Sequence, residues 1–506
     1  MTLAEILLLT ATLAASALLA APLPRAARWL QHAVAAVVVV AAAQSARDPR
    51  WQMVPAYALA GGLLGVWLWR TVASPVETTP RRPARRLAAG LLGFAAAVVL
   101  PVSFPPFRFP PPGGPHVIGT RTVHWVDADR PEAFAADPDA RRELMVQIWY
   151  PARAGASSPR APYVEDAPAL AAALARLHGI PARVFSDLGR IATNAVASAP
   201  VSDAERAYPV LVFLEGITGV RQMNTFQVEE LASRGYVVVA VDQPYTAAVV
   251  LFPDGRSVAG LSKAEADPII QQSLRPARRA PRLRGRPLPA GIVPALARDV
   301  SFVLDRLALL NRAQGPFGGR LDLGRAGVFG VSLGGIVAGE ACRAEPRLRA
   351  CLVLDAPMPA RVVADGLRQP TMWVSRDAGT MQREGWAKSD IDQHQTTMRA
   401  VFERLPGDGY IVRVRGMYHA DLTDAPVWSA LVSRLGLTGP VGTRRAHRLV
   451  NAYSVAFFDR HLRGRAPALL DRAARPPPGV LVETRRPWAA PAAGPVRGGR
   501  PPPERP

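Results

Sequence analysis

The run Gly330-Val331-Ser332-Leu333-Gly334 sets a hydroxyl between residues of little bulk. A serine hydroxyl is a weak nucleophile until a base takes its proton, and it can then form a covalent intermediate at an acyl carbon. The surroundings suit that chemistry. An apolar, strand-like run, Ala326–Phe329, precedes the serine, and a small-residue helical stretch, Leu333–Ala344, follows it. A sharp turn from strand to helix lifts such a serine above a sheet edge, and Gly330, Gly334 and Gly335 leave room for the turn. The helix N-terminus there favours developing negative charge. A Gly-rich turn with an incidental serine has the same composition, so the reading depends on finding partners.

A base and an acid must follow this serine in the chain, the acid first. Four of the eight histidines lie beyond it: His394, His419, His447 and His461. His419 sits in Gly416-Met417-Tyr418-His419-Ala420-Asp421, just past the strand-like Tyr410–Val414. Ligands of open α/β sheets meet loops in that position. His447 and His461 fall in the amphipathic stretch Arg444–Leu462, where packing roles are expected, and His394 lies in a polar segment. The expected base is His419. Two carboxylates could orient it. Asp355 ends the run Cys351–Leu354, and Asp377 follows Thr371–Val374. Position alone favours Asp377; the other carboxylate would then be a turn or N-cap residue. Backbone N–H groups must also face the oxyanion. Leu333, directly after the serine, supplies one. Ile217, in the turn Glu215-Gly216-Ile217-Thr218-Gly219 after Val210–Leu214, supplies the other.

These groups need a scaffold. Further strand candidates are Leu144–Tyr150 and Val237–Val241, and helix candidates are Thr225–Arg234 and Val293–Asn311. Several strands are apolar throughout, as parallel strands covered on both faces are. The alternation predicts a doubly wound, mostly parallel α/β sheet over residues 117–465. A Pro/Gly linker, residues 108–116, precedes it, and a Pro/Arg-rich tail, residues 466–506, follows and is expected to be disordered. The basic segment Arg275–Arg286 reads as a mobile surface loop.

Residues 1–107 differ in kind. Four uncharged windows, Ile6–Pro24, Trp29–Ala46, Trp51–Trp69 and Leu87–Phe107, approach the ~20 residues a helix needs to cross a bilayer. Trp29, Trp51, Trp67 and Trp69 mark window ends, where interfacial aromatics belong. The expectation is an all-α transmembrane region of about four helices, with three helices after a cleaved signal as the alternative. The first loop carries Arg25 and Arg28, and the third carries Arg70, Arg81, Arg82, Arg85 and Arg86 against Glu77. The middle loop has Arg47 and Arg50 against Asp48. Positive-inside bias then puts loops one and three in the cytoplasm and residues beyond 107 on the other side.

The formal net charge is +21, almost all from arginine, since Lys263 and Lys388 are the only lysines. Anionic headgroups are a natural partner for such charge. No zinc-knuckle spacing, recognition helix or aromatic-interleaved basic stripe accompanies it, so nucleic-acid binding is not expected. Cys342 and Cys351 lie in apolar stretches and read as buried free thiols.

From about Val117 to Gly464 the chain resembles the platelet-activating factor acetylhydrolase family. Its pieces stand in the family's order: Gly119-Thr120, Gln147-Ile148-Trp149-Tyr150-Pro151, Pro209–Gly216, Leu231–Val238 and Phe252-Pro253-Asp254-Gly255-Arg256. Then come the serine turn Phe329–Gly335, Leu354-Asp355-Ala356-Pro357-Met358, Gly416–Asp424 and Ala456-Phe457-Phe458-Asp459. Glu215-Gly216 departs from the family's usual His-Gly, and Val331 stands where histidine is common. The resemblance implies an α/β-hydrolase fold, with Asp355 as the acid and Asp377 as runner-up. Asp355 lies 23 residues beyond the serine, a spacing similar to the family's. It also implies no metal, no cofactor, and cleavage of short or oxidised acyl chains from phospholipids through an acyl-enzyme. Related bacterial enzymes act on other small esters. A membrane-bound acyltransferase and a catalytically silent scaffold are the alternatives. Acyl-chain length, headgroup and oligomeric state stay open.

Overall fold

The computed structural model describes the chain apart from residues 22, 73–82, 105–106, 154, 156–158, 429, 472–474 and 486–506. Four helices come first: α1 (Leu3–Ala20), α2 (Trp29–Ser45), α3 (Val54–Val72) and α4 (Pro83–Ser103). Thr2 and Glu5 form a capping box that starts α1. Among the described residues two stretches, Leu3–Ala20 and Ala84–Ser103, are long and apolar enough to cross a membrane, while Trp29–Ser45 is apolar but shorter. The helices pack through small residues, among them Ala11, Ala15, Ala41, Ala56, Ala60 and Ala97. They expose large apolar side chains on the outside, including Val40, Leu68, Trp69, Leu92 and Val99. Of the charges that suggested an orientation, Glu77, Arg81 and Arg82 lie outside the described residues.

Fifteen strands follow among the described residues. They are β1 (Val117–Pro131), β2 (Arg141–Ala152), β3 (Arg160–Pro162), β4 (Ala192–Ala197), β5 (Tyr208–Leu214) and β6 (Val237–Asp242), then β7 (Val249–Leu251), β8 (Ser257–Ala259), β9 (Arg282–Leu283) and β10 (Arg286–Pro287). The last five are β11 (Leu321–Val331), β12 (Leu348–Leu354), β13 (Thr371–Ser375), β14 (Gly409–Val414) and β15 (Val480–Arg485). Eleven make one sheet in the order β15-β14-β13-β12-β11-β5-β6-β2-β1-β4-β3. Its centre, β14 through β6, is parallel throughout. All seven strands expected from the apolar runs lie within it.

The core has two layers, one on each face of this sheet. Along β5, Val210, Val212 and Leu214 face one layer with helix Val293–Arg312 and helix Leu333–Ala344. Leu211 and Phe213 face the other, with helix Thr225–Ser233 and helix Thr443–Arg463. Period-two alternation therefore buries both faces of a strand that is apolar at every position.

Two expectations are corrected. The stretch beyond residue 466 is not unstructured throughout: β15 pairs antiparallel with β14. Val480 and Val482 pack on the second core layer, and Glu483 pairs with Arg413 and Arg399, so a short alternating segment closes the sheet edge. The remainder of that tail, residues 486–506, lies outside the described residues. The basic segment Arg275–Arg286 is also no free loop. It holds the β9–β10 ribbon, tied down by Arg284 and Arg286, which donate to the carbonyls of Phe134 and Ala133. Cys342 and Cys351 are buried free thiols, as their apolar settings suggest.

Candidate active site

Register brings the site together. Val331 at the end of β11 lies beside Leu354 at the end of β12, and Leu354 lies beside Val374 on β13. The next residues extend this ladder past the sheet edge: Ser332 N–H donates to Leu354 O at 3.0 Å, and Asp355 N–H donates to Val374 O at 2.9 Å. Ser332 and Asp355 therefore emerge side by side at the C-terminal edge. Both have positive φ, 55° and 50°, a rare backbone for residues with a side chain. Ser332 is followed at once by helix Leu333–Ala344. Glycine is required in this turn: a Cβ on Gly334 would sit 2.0 Å from Leu214 O, and one on Gly330 would sit 2.3 Å from the backbone of Gly334.

His419 lies five residues beyond β14, in a short 3-10 turn, His419–Leu422. Its Nδ1 is 2.6 Å from Asp355 Oδ2. The ring is partly open to solvent, while Asp355 is fully buried. Burial would raise the Asp355 carboxyl. The Arg376 guanidinium and hydrogen bonds from His394 and His419 outweigh it and hold the group well below the usual carboxylate range. An ionised carboxylate on Nδ1 leaves Nε2 as the ring's proton acceptor.

Asp377, the runner-up acid, does something else. It caps helix Ala378–Arg383, accepting the Thr380 N–H at 2.8 Å and the Thr380 hydroxyl at 2.8 Å. This is the N-cap role that its position left open.

The turn Glu215–Gly219 packs against the serine, since a Cβ on Gly216 would meet Ser332 Cβ at 3.3 Å. Thr218 has φ 57°, and its N–H is taken by Thr246 O at 2.7 Å. Among the described residues, neither the Ile217 N–H nor the Leu333 N–H meets an acceptor. Two uncommitted donors beside a serine are what an oxyanion site needs. Glu215, where the resembling family has histidine, turns inward. It is buried and accepts the Gln243 N–H at 3.0 Å. Burial first, and then nearby Asp242, push its carboxyl well above the usual range.

Two neighbours of Asp355, Ser375 and Arg376, give no signal in the sequence, and a third, His394, stands there only as a histidine in a polar segment. Ser375 donates its hydroxyl to Oδ1 at 3.1 Å. Arg376, fully buried, places Nη2 2.6 Å from Oδ2. His394 lies on helix Lys388–Arg404 and brings Nε2 to 3.4 Å from Oδ1. His447 and His461 stay on helix Thr443–Arg463, away from this cluster, with His447 stacked on Phe226 at 3.8 Å.

The family model described as platelet-activating factor acetylhydrolase, isoform II, matches residues 102–255. That span carries β1 to β7 and the Glu215–Gly219 turn and ends before Ser332. A solved structure, the ferulic acid esterase from Streptomyces cinnamoneus, is 30% identical with a TM-score of 0.56. The match covers 74% of this chain and 99% of that one. No curated protein sequence matches.

Proposed function

The chain belongs to the α/β-hydrolase-type esterases of the platelet-activating factor acetylhydrolase family, and from that premise we propose that Ser332, His419 and Asp355 carry its ester hydrolysis. The observation that supports this most is the short contact from ionised Asp355 to His419, at the sheet edge where Ser332 sits in a strained turn. In this reading Ser332 Oγ attacks the ester carbonyl while His419 Nε2 takes its proton. The oxyanion lies on the Leu333 and Ile217 N–H groups. His419 returns the proton to the departing alkoxide, the C–O bond breaks, and an acyl-enzyme remains. Water, deprotonated by the same ring, then releases the acid and restores Ser332.

For the substrate we propose phospholipids bearing short or oxidised acyl chains. The family description supports this, and so do the outward apolar faces of the first four helices. Exposed apolar surface on that scale marks a membrane or partner contact. The helices would cross the bilayer with loops one and three in the cytoplasm, holding the hydrolase domain over lipid on the opposite face. A second substrate class comes from the matched solved structure, whose title names a ferulic acid esterase: small aromatic esters would use the same three residues.

The test uses the full chain in detergent, wild type against Ser332→Ala, on p-nitrophenyl acetate, an sn-2-acetyl phospholipid and methyl ferulate. The expected result is a fall of about 10⁴-fold or more in the variant on every substrate the wild type turns over. Equal rates in the two proteins would remove Ser332 from the mechanism. The ranking of the three esters decides between lipid and aromatic substrates. Preferred acyl transfer to an added alcohol over water would make the enzyme an acyltransferase.

A further inference from the structure

Asp355 and His419 are joined by a second route besides their own contact. Arg376 follows β13, whose register with β12 puts Ser375 and Arg376 beside Asp355. Its guanidinium is fully buried and reaches two carboxylates: Nη2 lies 2.6 Å from Asp355 Oδ2, and Nη1 bonds Glu384 Oε2. Glu384 ends helix Ala378–Arg383, and its other oxygen, Oε1, accepts the backbone N–H of His419 at 3.0 Å. The contacts therefore close a ring that runs from Asp355 through Arg376 and Glu384 to the His419 backbone, and through the imidazole back to Asp355. Trp386 covers it, with the Arg376 guanidinium 4.4 Å from its ring centroid and the His419 ring edge-on to it at 5.4 Å between centroids.

We propose that Arg376 and Glu384 are positioning residues of this esterase: their ion pair holds the His419 backbone against the Asp355 loop and sets the charge that the imidazole meets when it takes a proton. The inference rests on the reading of His419 as the base. Its electrostatic content follows from a count. Two carboxylates and one guanidinium leave one net negative charge facing the ring, and the imidazolium formed during attack balances it. Without Glu384 the set is neutral before protonation, and the cation forms against less attraction. Without Arg376 two negative charges face the ring.

The other titratable groups around the ring are the same in every variant, so they do not alter the comparison between variants. His394, from helix Lys388–Arg404, meets Asp355 on the far oxygen, Oδ1. Asp421, from the turn that carries His419, spends its carboxylate on the N–H groups of Tyr418 and Gly439, both at 2.8 Å.

The test measures kcat/KM against pH for the full chain in detergent on a p-nitrophenyl ester. Glu384→Gln keeps the shape and an oxygen for the His419 N–H but removes the charge. Its acid limb should move to lower pH by about one unit, the size expected for one charge nearby at an effective dielectric near 20. Arg376→Met should move the limb the other way, and Arg376→Lys should return it toward wild type while kcat stays low, because an ammonium cannot hold both carboxylates in one plane. If the Arg376 variants do not fold, Glu384→Gln decides alone. A folded, active Glu384→Gln protein whose acid limb is unmoved, or moves upward, overturns the proposal and leaves the esterase reading standing. A wild type that hydrolyses no ester sinks both.

Discussion

Ser332 turns its backbone through φ 55° and ψ −121°, a combination that persists only where the surroundings over-determine it. Asp355 is held the same way at φ 50°. Both hydrogen-bond through their N–H groups to the neighbouring strand end, so the ladder itself stores the strain at the two candidate site residues. Glu215 carries a different cost. Its buried carboxyl has one oxygen on the Gln243 N–H and lies near Asp242, and burial pushes it well above the usual range. The folded state therefore keeps the proton at a pH where the unfolded chain releases it. Stability on this account is fully present below the unfolded value and is lost as pH rises toward the folded one. Glu215→Gln cannot ionise and keeps the oxygen that accepts from Gln243. The variant should melt a few degrees above wild type at pH 8 and level with it near pH 4. Equal differences at both pH values would mean that Glu215 is ionised in the native protein. Activity on p-nitrophenyl acetate should survive, because the side chain is engaged with Gln243 and has no hydrogen bond to Ser332 or His419 among the described residues.

The helix Thr443–Arg463 shows how one element can impose an acid limit on the fold. His447 stacks on Phe226 and donates Nε2–H to Thr423 O at 2.9 Å. His461 lies between Tyr410 and Phe457. Burial pushes each down to about 4, against the nearby Asp408 in the case of His461. Both folded values lie below the unfolded one of 6.5, so between pH 6.5 and 4 the unfolded chain takes up protons that the native chain refuses. Stability should fall as pH drops through that window, by up to about 3 kcal/mol for each histidine. A His447→Gln/His461→Gln double variant should show a flatter Tm-against-pH curve there, and an unchanged slope would exclude both residues as the cause. The same level of structure explains what could be read in advance. Val210–Leu214, Val237–Val241 and Ala326–Phe329 are legible because a strand buried on both faces is apolar at every position. His419 stands out because it follows such a strand within a few residues. Arg376 and Glu384 gave no signal of that kind, since their meeting depends on the β12–β13 register and on where helix Ala378–Arg383 ends. The clue is Arg376-Asp377 directly after β13, where an arginine stands beside the carboxylate. Strand β15 was hidden by composition: three alternating residues, Val480-Leu481-Val482, sit within a tail otherwise rich in proline and arginine.

Across the whole molecule, the apolar helices and the hydrolase domain meet at a buried polar cluster centred on Arg50. This residue lies between α2 and α3, is 4% exposed, and pairs with Glu5 at the start of α1 at 3.2 Å. Its other nitrogen reaches Phe104 O, just past α4, at 2.8 Å and Asp187 of the hydrolase domain at 3.3 Å. Gln52 also donates to Asp187, and Arg190 pairs with Asp48 at 2.6 Å. Asp187 and Arg190 belong to the 3-10 segment Ala182–Arg190, whose Phe185 packs edge-on against Trp428, a few residues past the His419 turn. One arginine therefore ties the ends of the helical region to the loop side of the active site. Removing one partner of a buried ion pair leaves the others uncompensated and typically costs about 3–5 kcal/mol. Arg50→Ala should lower the melting temperature of the full chain in detergent accordingly. At temperatures where the variant stays folded, hydrolysis of soluble p-nitrophenyl acetate should match wild type. On the proposed reading of the helices as a membrane anchor for a phospholipid esterase, hydrolysis of an sn-2-acetyl phospholipid in vesicles should fall several-fold, because the domain would no longer be held at one attitude to the bilayer. A parallel loss on both substrates would instead mean that the cluster supports the active site directly, and an unchanged melting curve would mean that the two regions are not coupled through Arg50.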